Sequence, residues 1–412
     1  MQRRAAPRDM VPAMLDAPPS SAPSEPLAGL VGPDVVDRIA AVAGAAPHTM
    51  TSVKLLRDGA QAFPAMLEAI AAARRQVLFE NFIFAGDATG QRFAEGLSAA
   101  ARRGVEVRVL YDPVGTALVR GGSIASVLRR DGVTVRPFRP LSPLAPWSWL
   151  RLRHRDHRKT LTVDGELAVV GGLCISNNWS ASETGGCGWR DTALLVGGPV
   201  AGDVERAFES LWRRAGEPAP SRAAAAASRV TRAPAVLVAA DEPGSHRVSD
   251  LYAWLAAQAR HSLEITDAYL VTPRRVLEAF EAAARRGVEV RMLLPGRNNH
   301  PAAGAAARRS YSRLLAAGVG IWEWKGVMVH AKTAVVDGVV SLVGSSNLDP
   351  LSMRRNYELN LLVIDPETGA GMRAMFATDL TGASRIDPVQ WGRRPRWHRA
   401  IETGACVFAP NL

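Results

Sequence analysis

The chain has 412 residues, 47% of them hydrophobic, and a formal net charge of +11 at pH 7. That length suits about two domains rather than one core, and the hydrophobic content is that of a globular protein. No stretch is apolar for the ~18 residues a membrane span needs, no apolar signal core follows Met1-Gln2-Arg3-Arg4, and Cys174, Cys187 and Cys406 form neither a disulfide framework nor a zinc pattern; a cytoplasmic protein facing anionic partners, nucleic acid or acidic lipid, is expected.

Residues 1–48 are rich in Pro and Ala and are expected as a partly disordered extension. A first lobe is expected over 49–213. It opens with a helix over about 60–75 and a strand over 76–83. A second helix runs into Ala99–Arg108, AAARRGVEVR, where Gly104 is a natural helix stop and Val-Glu-Val-Arg alternates as a strand. Arg139 to Arg153 reads RPLSPLAPWSWLRLR. Its Trp147, Trp149 and Leu150, flanked by Arg151 and Arg153, suit a loop at a membrane interface; the alternative is a loop folded on the protein's own core. Next comes His157-Arg158-Lys159, with Asp164 seven residues after the histidine, then Gly165. Gly171-Gly172-Leu173-Cys174 and Trp189-Arg190-Asp191-Thr192 follow.

Residues 214–232, Pro-, Ala- and Ser-rich, read as a linker. A second lobe is expected over 233–412, and it repeats the first. A helix over about 249–260 and a strand over 262–267 lead to Ala282–Arg291, the same ten letters AAARRGVEVR. The motif returns as His330-Ala331-Lys332, with Asp337 and Gly338 at the same spacing. Gly344-Ser345-Ser346-Asn347 and then Asn356-Tyr357-Glu358 complete the series. Alternating helices and strands predict an α/β fold. Their repetition predicts two pseudo-twofold α/β/α sandwich lobes with one active site at their interface.

Strand residues two apart share a face, so each His projects beside its Lys. Asp-Gly predicts a hairpin turn behind each pair. One imidazole can attack phosphorus while a second protonates the leaving oxygen. The lysines would neutralise the phosphate oxygens as charge builds. Only four of the 50 basic residues are lysines, Lys54, Lys159, Lys325 and Lys332, and two of those lie in the motifs. Such placement favours a compact ammonium at these sites over a guanidinium fork. No metal or other cofactor is expected, since no clustered carboxylates of a two-metal site are present. Asn347, with Ser345 beside it, is placed to donate to a phosphate oxygen. Asp191 and Glu358, at matching places in the repeat, are placed to bond the far ring nitrogen of a histidine and fix its tautomer.

On these residues the chain resembles the phospholipase D superfamily, with its duplicated HxKx4D motif, and within it the bacterial cardiolipin synthases. The likeness covers about residues 50–412 and includes Leu78 to Phe84, His157 to Gly172 and Gly344 to Leu348. It implies two phospholipase D-like lobes and a phosphatidyltransferase that joins two phosphatidylglycerol molecules through a phosphohistidine. His157 would then be the nucleophile and His330 the acid/base, with Lys159, Lys332, Asp164, Asp337 and Asn347 completing the set. It also implies a peripheral enzyme on the inner face of the membrane, with an anionic lipid surface as partner and no obligate nucleic acid. A phospholipid hydrolase is the alternative, and a nuclease or a non-catalytic phosphate-binding module stands further off. The pattern has two departures. Cys174 stands where the family has Asn, with Asn177 as the nearby amide that would compensate, and Asn299-His300 stands where similar enzymes often have Asp-His.

Overall fold

A computed structural model of the protein describes residues 30, 33–118, 124–141, 152, 154–216 and 230–408. The chain enters through α1 (Pro33–Ala43) and the short strand β1 (His48–Thr49). It then forms β2 (Ser52–Arg57), α2 (Asp58–Ala72), β3 (Gln76–Asn81), α3 (Ala88–Arg102) and β4 (Glu106–Tyr111). After α4 (Pro113–Ala117) and α5 (Ala125–Arg130) come β5 (Thr134–Pro137), the hairpin β6 (Lys159–Val163) and β7 (Leu167–Gly171), then β8 (Thr192–Gly197) and α6 (Val200–Arg214). These strands make a sheet of order β2-β8-β7-β6-β3-β4-β5. Helical crossovers force β3, β4 and β5 to run parallel, while the hairpin and β8 pair antiparallel.

The second half repeats this plan. It contributes β9 (Ala235–Asp241), α7 (Arg247–Gln258), β10 (Ser262–Thr266), α8 (Arg274–Arg285), β11 (Glu289–Pro295), α9 (Pro301–Ala316) and β12 (Gly320–Trp324). The second hairpin is β13 (Thr333–Val336) with β14 (Val340–Gly344), followed by α10 (Pro350–Arg354), β15 (Glu358–Ile364), α11 (Pro366–Thr381) and β16 (Ala383–Arg385). The sheet order is β1-β9-β15-β14-β13-β10-β11-β12-β16. Equivalent registers, Val77 opposite Val163 and Leu263 opposite Val336, place the two motifs alike in their lobes. The lobes share an apolar core in which Val170, Leu194 and Val204 of the first pack with Val238, Val343 and Leu361 of the second. The α/β fold with two repeated lobes is therefore present as expected.

The N-terminal boundary is different from the expected one. The segment assigned to an extension over 1–48 includes α1 and the first residue of β1, and both elements belong to the second lobe. Val36 and Ile39 are fully buried in its core with Leu237, Leu251 and Leu255, and β1 adds to the free edge of β9. Amphipathic spacing of Val36, Ile39 and Ala43 on one helix face is the physical reason: such a face is stable only against another apolar surface. From α1 onward the described chain thus runs from one lobe into the other and back. Most of the 214–232 linker and the proposed interfacial residues Trp147, Trp149 and Leu150 lie outside the described residues. Among the described residues no helix is long and apolar enough to cross a membrane.

Candidate active site

The local fold that presents each motif begins at its Asp-Gly turn. Asp164 and Asp337 adopt φ of 55° and 51°, followed by Gly165 and Gly338 at 70° and 67°. Two successive positive φ values are the hairpin geometry that matches strand twist, and Gly adopts it without a Cβ clash. The aspartate carboxylates do not reach the histidines. Asp164 accepts the backbone N–H groups of Arg74, Arg75 and Gln76, and Asp337 those of Arg260, His261 and Ser262. Each ties its hairpin turn to the chain entering β3 or β10. Their placement among the catalytic residues is thereby corrected: they hold the scaffold, because the turn lies at the opposite end of the strand from the His/Lys pair.

At that other end the two lobes cross. The His157 backbone N–H donates to the Tyr357 carbonyl at 3.0 Å, and that of His330 to the Arg190 carbonyl at 2.7 Å. Each histidine is thus stitched to the residue just before the other lobe's carboxylate. Nδ1 of His157 lies 2.9 Å from Glu358 Oε1, and Nδ1 of His330 lies 2.8 Å from Asp191 Oδ2. The Asp191 carboxylate favours the ring proton of His330 on Nδ1, leaving Nε2 as the free lone pair, and Glu358 is the matching partner of His157 Nδ1. Asp191 also accepts from Trp179 Nε1 and from the Thr192 N–H, both at 2.8 Å. A Cβ on Gly172 would fall 2.3 Å from Asp191 Oδ1, so only glycine fits there. Ser345 donates its hydroxyl to Glu358 Oε2. Lys159 donates to the His157 carbonyl at 2.5 Å; Lys332 donates to the His330 carbonyl and lies 2.9 Å from its Nδ1.

Both histidines line one cavity of about 570 Å³, within the ~300–1,000 Å³ of small-molecule sites. The Phe82 ring meets His157 edge-on at 4.9 Å, and Trp179 meets His330 edge-on at 5.1 Å. These aromatic rings pack against the imidazoles and hold them in place. Burial lowers His157 well below the ordinary histidine value, and the Lys159 and Lys332 ammoniums lower it further. Burial and Lys332 push His330 down to about 3. Both rings are therefore neutral near neutral pH. Burial also lowers Lys332 to about 8 and raises Glu358 to about 8. For Asp191 burial acts upward, but the His330 hydrogen bond and the Lys332 ammonium outweigh it and hold the carboxyl below its ordinary value. A phosphodiester anion entering this cavity would meet the two imidazoles, with Lys159 and Lys332 buried behind them, and its charge would draw the imidazole values back up.

The remaining expected residues separate into several roles. Asn347 lines the cavity, with Nδ2 3.3 Å from Ser352 Oγ. Cys174 is buried at the cavity wall, and burial raises its thiol, so it stands there as a neutral group. Asn177 does not replace the missing amide: its Oδ1 accepts from the N–H and Oγ1 of Thr89. The neighbouring Asn178 lines the cavity instead. Sequence reasoning also missed Phe82, Trp179, Tyr269 and Asp349 at this wall. Burial raises Asp349 to about 7.

Two repeated α/β lobes, with paired His/Lys groups meeting across one cleft, define the phospholipase D class of enzyme. A family model described as "Cardiolipin synthase, PLD-like domain" matches residues 66–212 and 254–380. The chain belongs to that family, a phosphatidyltransferase branch of the superfamily. It is 32% identical over 365 residues to cardiolipin synthase A of Pseudomonas putida strain W619, covering 87% of this chain and 75% of that protein. Similarity to the probable cardiolipin synthase YwiE of Bacillus subtilis strain 168 is 27% over 376 residues, covering 89% and 73%. A crystal structure of phosphatidylserine synthase from Haemophilus influenzae Rd KW20 shares the fold, with a TM-score of 0.69 at 13% identity, covering 92% of this chain and all of that one.

Proposed function

We propose that the protein joins two phosphatidylglycerol molecules into cardiolipin and glycerol at an anionic membrane surface, through a phosphohistidine. His157 Nε2 attacks phosphorus. The bond from phosphorus to the glycerol oxygen breaks, and His330, which takes up a proton on Nε2 as the substrate phosphate enters and raises its value, gives that oxygen this proton. His330 then takes the proton of a second phosphatidylglycerol hydroxyl as its oxygen attacks phosphorus and breaks the P–N bond, which restores both histidines. Lys159 and Lys332 neutralise the equatorial oxygens, and Glu358 and Asp191 hold the two Nδ1 protons. The observation that carries this reading is the crossed pairing: each imidazole is oriented by a carboxylate of the other lobe, over one cavity. The net charge of +11 supports docking on the anionic inner face of the membrane, where the substrate lies.

The test is turnover of labelled phosphatidylglycerol in liposomes, with acid-quenched protein analysed for phosphohistidine. Cardiolipin plus glycerol, with label on His157 and turnover at least ~10³-fold lower in both His157→Ala and His330→Ala, is the expected result. Phosphatidic acid as sole product would make the protein a hydrolase, and label confined to His330 would reverse the two histidine roles.

A further inference from the structure

The duplicated scaffold puts equivalent positions on opposite sides of one cavity, and these positions differ in chemistry. Ile83 lies six residues beyond Val77, and Tyr269 six beyond Leu263, the two residues in equivalent register with Val163 and Val336. Both line the cavity. The next crossovers, leaving β4 and β11, likewise both reach it: the first presents Leu118, the second Asn299 and His300. At these equivalent positions one half offers a buried isoleucine and an exposed leucine, and the other a phenol, a carboxamide and an imidazole.

The polar trio forms a connected group. Tyr269 donates its hydroxyl to Asn299 Oδ1 at 2.7 Å. Its ring lies 6.4 Å from His330 and 5.8 Å from His300, so it bridges the catalytic imidazole and the cavity mouth. Burial raises the phenol, which stays protonated, while burial keeps His300 neutral. With Oδ1 taken, the Asn299 amide hydrogens have no partner among the described residues and remain to donate. The site can thus give and accept hydrogen bonds beside the histidine that handles the alcohol proton.

A phosphatidyl donor is divided in the same way at phosphorus: an apolar diacylglycerol on one side, a hydroxylated alcohol on the other. We infer that Tyr269, Asn299 and His300 form the subsite for the hydroxylated alcohol, holding the departing glycerol and then the glycerol head of the acceptor, while Ile83 and Leu118 face the diacylglycerol side. This assignment rests on the phosphatidyl-transfer reading and adds the residues that select the alcohol. It also places the alcohol beside His330, opposite the nucleophile, as in-line displacement requires.

The test compares cleavage of labelled phosphatidylglycerol with that of labelled phosphatidylpropanol, which lacks the two extra hydroxyls, each with the same excess of unlabelled phosphatidylglycerol as acceptor, as a kcat/KM ratio counting every phosphorylated lipid product. The unaltered protein should prefer phosphatidylglycerol. Tyr269→Phe and Asn299→Ala should each cut that ratio about tenfold, the scale of one lost hydrogen bond to a positioned hydroxyl. Tyr269→Phe removes a single oxygen, so its result does not depend on tolerance of a larger change. An unaltered protein without preference, or variants in which both substrates decline equally, would overturn the subsite. Hydrolysis without transfer, but with the ratio falling, would support the subsite and overturn the synthase reading. No cleavage of either lipid by the unaltered protein overturns both.

Discussion

A neutral imidazole buried beside a lysine makes the folded state sensitive to acid in a defined direction. His330 has a folded value of about 3 against an ordinary value of 6.5. Between these the unfolded chain binds a proton that the folded one refuses, so this residue's contribution is full above pH 6.5 and is lost as pH falls toward 3. The limiting slope is about 1.4 kcal/mol per pH unit. Glu358 acts oppositely: its folded value of about 8 lies above 4.5, so its contribution is full at acid pH and lost as pH rises through that window. The two slopes offset each other in the unaltered protein. His330→Gln removes one of them. The stability of that variant relative to the unaltered protein should rise by about 2–3 kcal/mol from pH 6.5 to 4.5, read by denaturant titration at several pH values. A constant difference across that range would show that the ring is charged in the folded state. These residues were legible in sequence because histidine beside lysine, repeated, has few structural uses. Phe82 and Trp179 were not, since an aromatic near a strand end reads equally well as core.

At the scale of the element, the two Asp-Gly hairpins were readable in full, including the strands Lys159–Val163 and Thr333–Val336 and their return partners. What spacing does not reveal is which end of the strand the aspartate serves. The motif runs seven residues from His to Asp, about 23 Å if fully extended, too far for a shared role with the imidazole. Asp337, nearly buried, accepts three backbone N–H groups at a positive φ of 51°. Asp337→Ala leaves those donors unpaired and puts a Cβ-bearing residue without a local hydrogen bond in the left-handed region. The expected loss is about 2–4 kcal/mol of stability, while kcat per folded molecule falls less than tenfold. Chemical denaturation and active-site-titrated turnover check the two halves of that statement. A thousandfold fall in kcat with unchanged stability would return Asp337 to the chemistry.

Across the whole molecule, the repeat of AAARRGVEVR made two lobes legible, but their entanglement was not, because pattern within a segment carries no information on which sheet it joins. The crossed carboxylates follow from that entanglement: Asp191 enters the first lobe's sheet through β8 yet serves His330, and Glu358 begins β15 of the second yet serves His157. The same holds for α1, which precedes the first lobe and completes the second. Ile39 is fully buried against the core around β9 and α7. Ile39→Ala should destabilise the protein by roughly 2–5 kcal/mol, the usual range for removing a buried aliphatic side chain. The position of the effect is the sharper test. Hydrogen exchange should rise in β9 and α7, some two hundred residues away in sequence, before it rises in β3 or β4, which are adjacent in the chain but belong to the other lobe. Because the lobes share the core that joins Val170 and Leu194 to Val238 and Leu361, loosening the second sheet also loosens the strand that delivers Glu358 to His157. Turnover of the variant should therefore fall at temperatures below its melting transition, in step with exchange at β15; loss of exchange protection confined to β2 and α2 would place α1 on the first lobe instead.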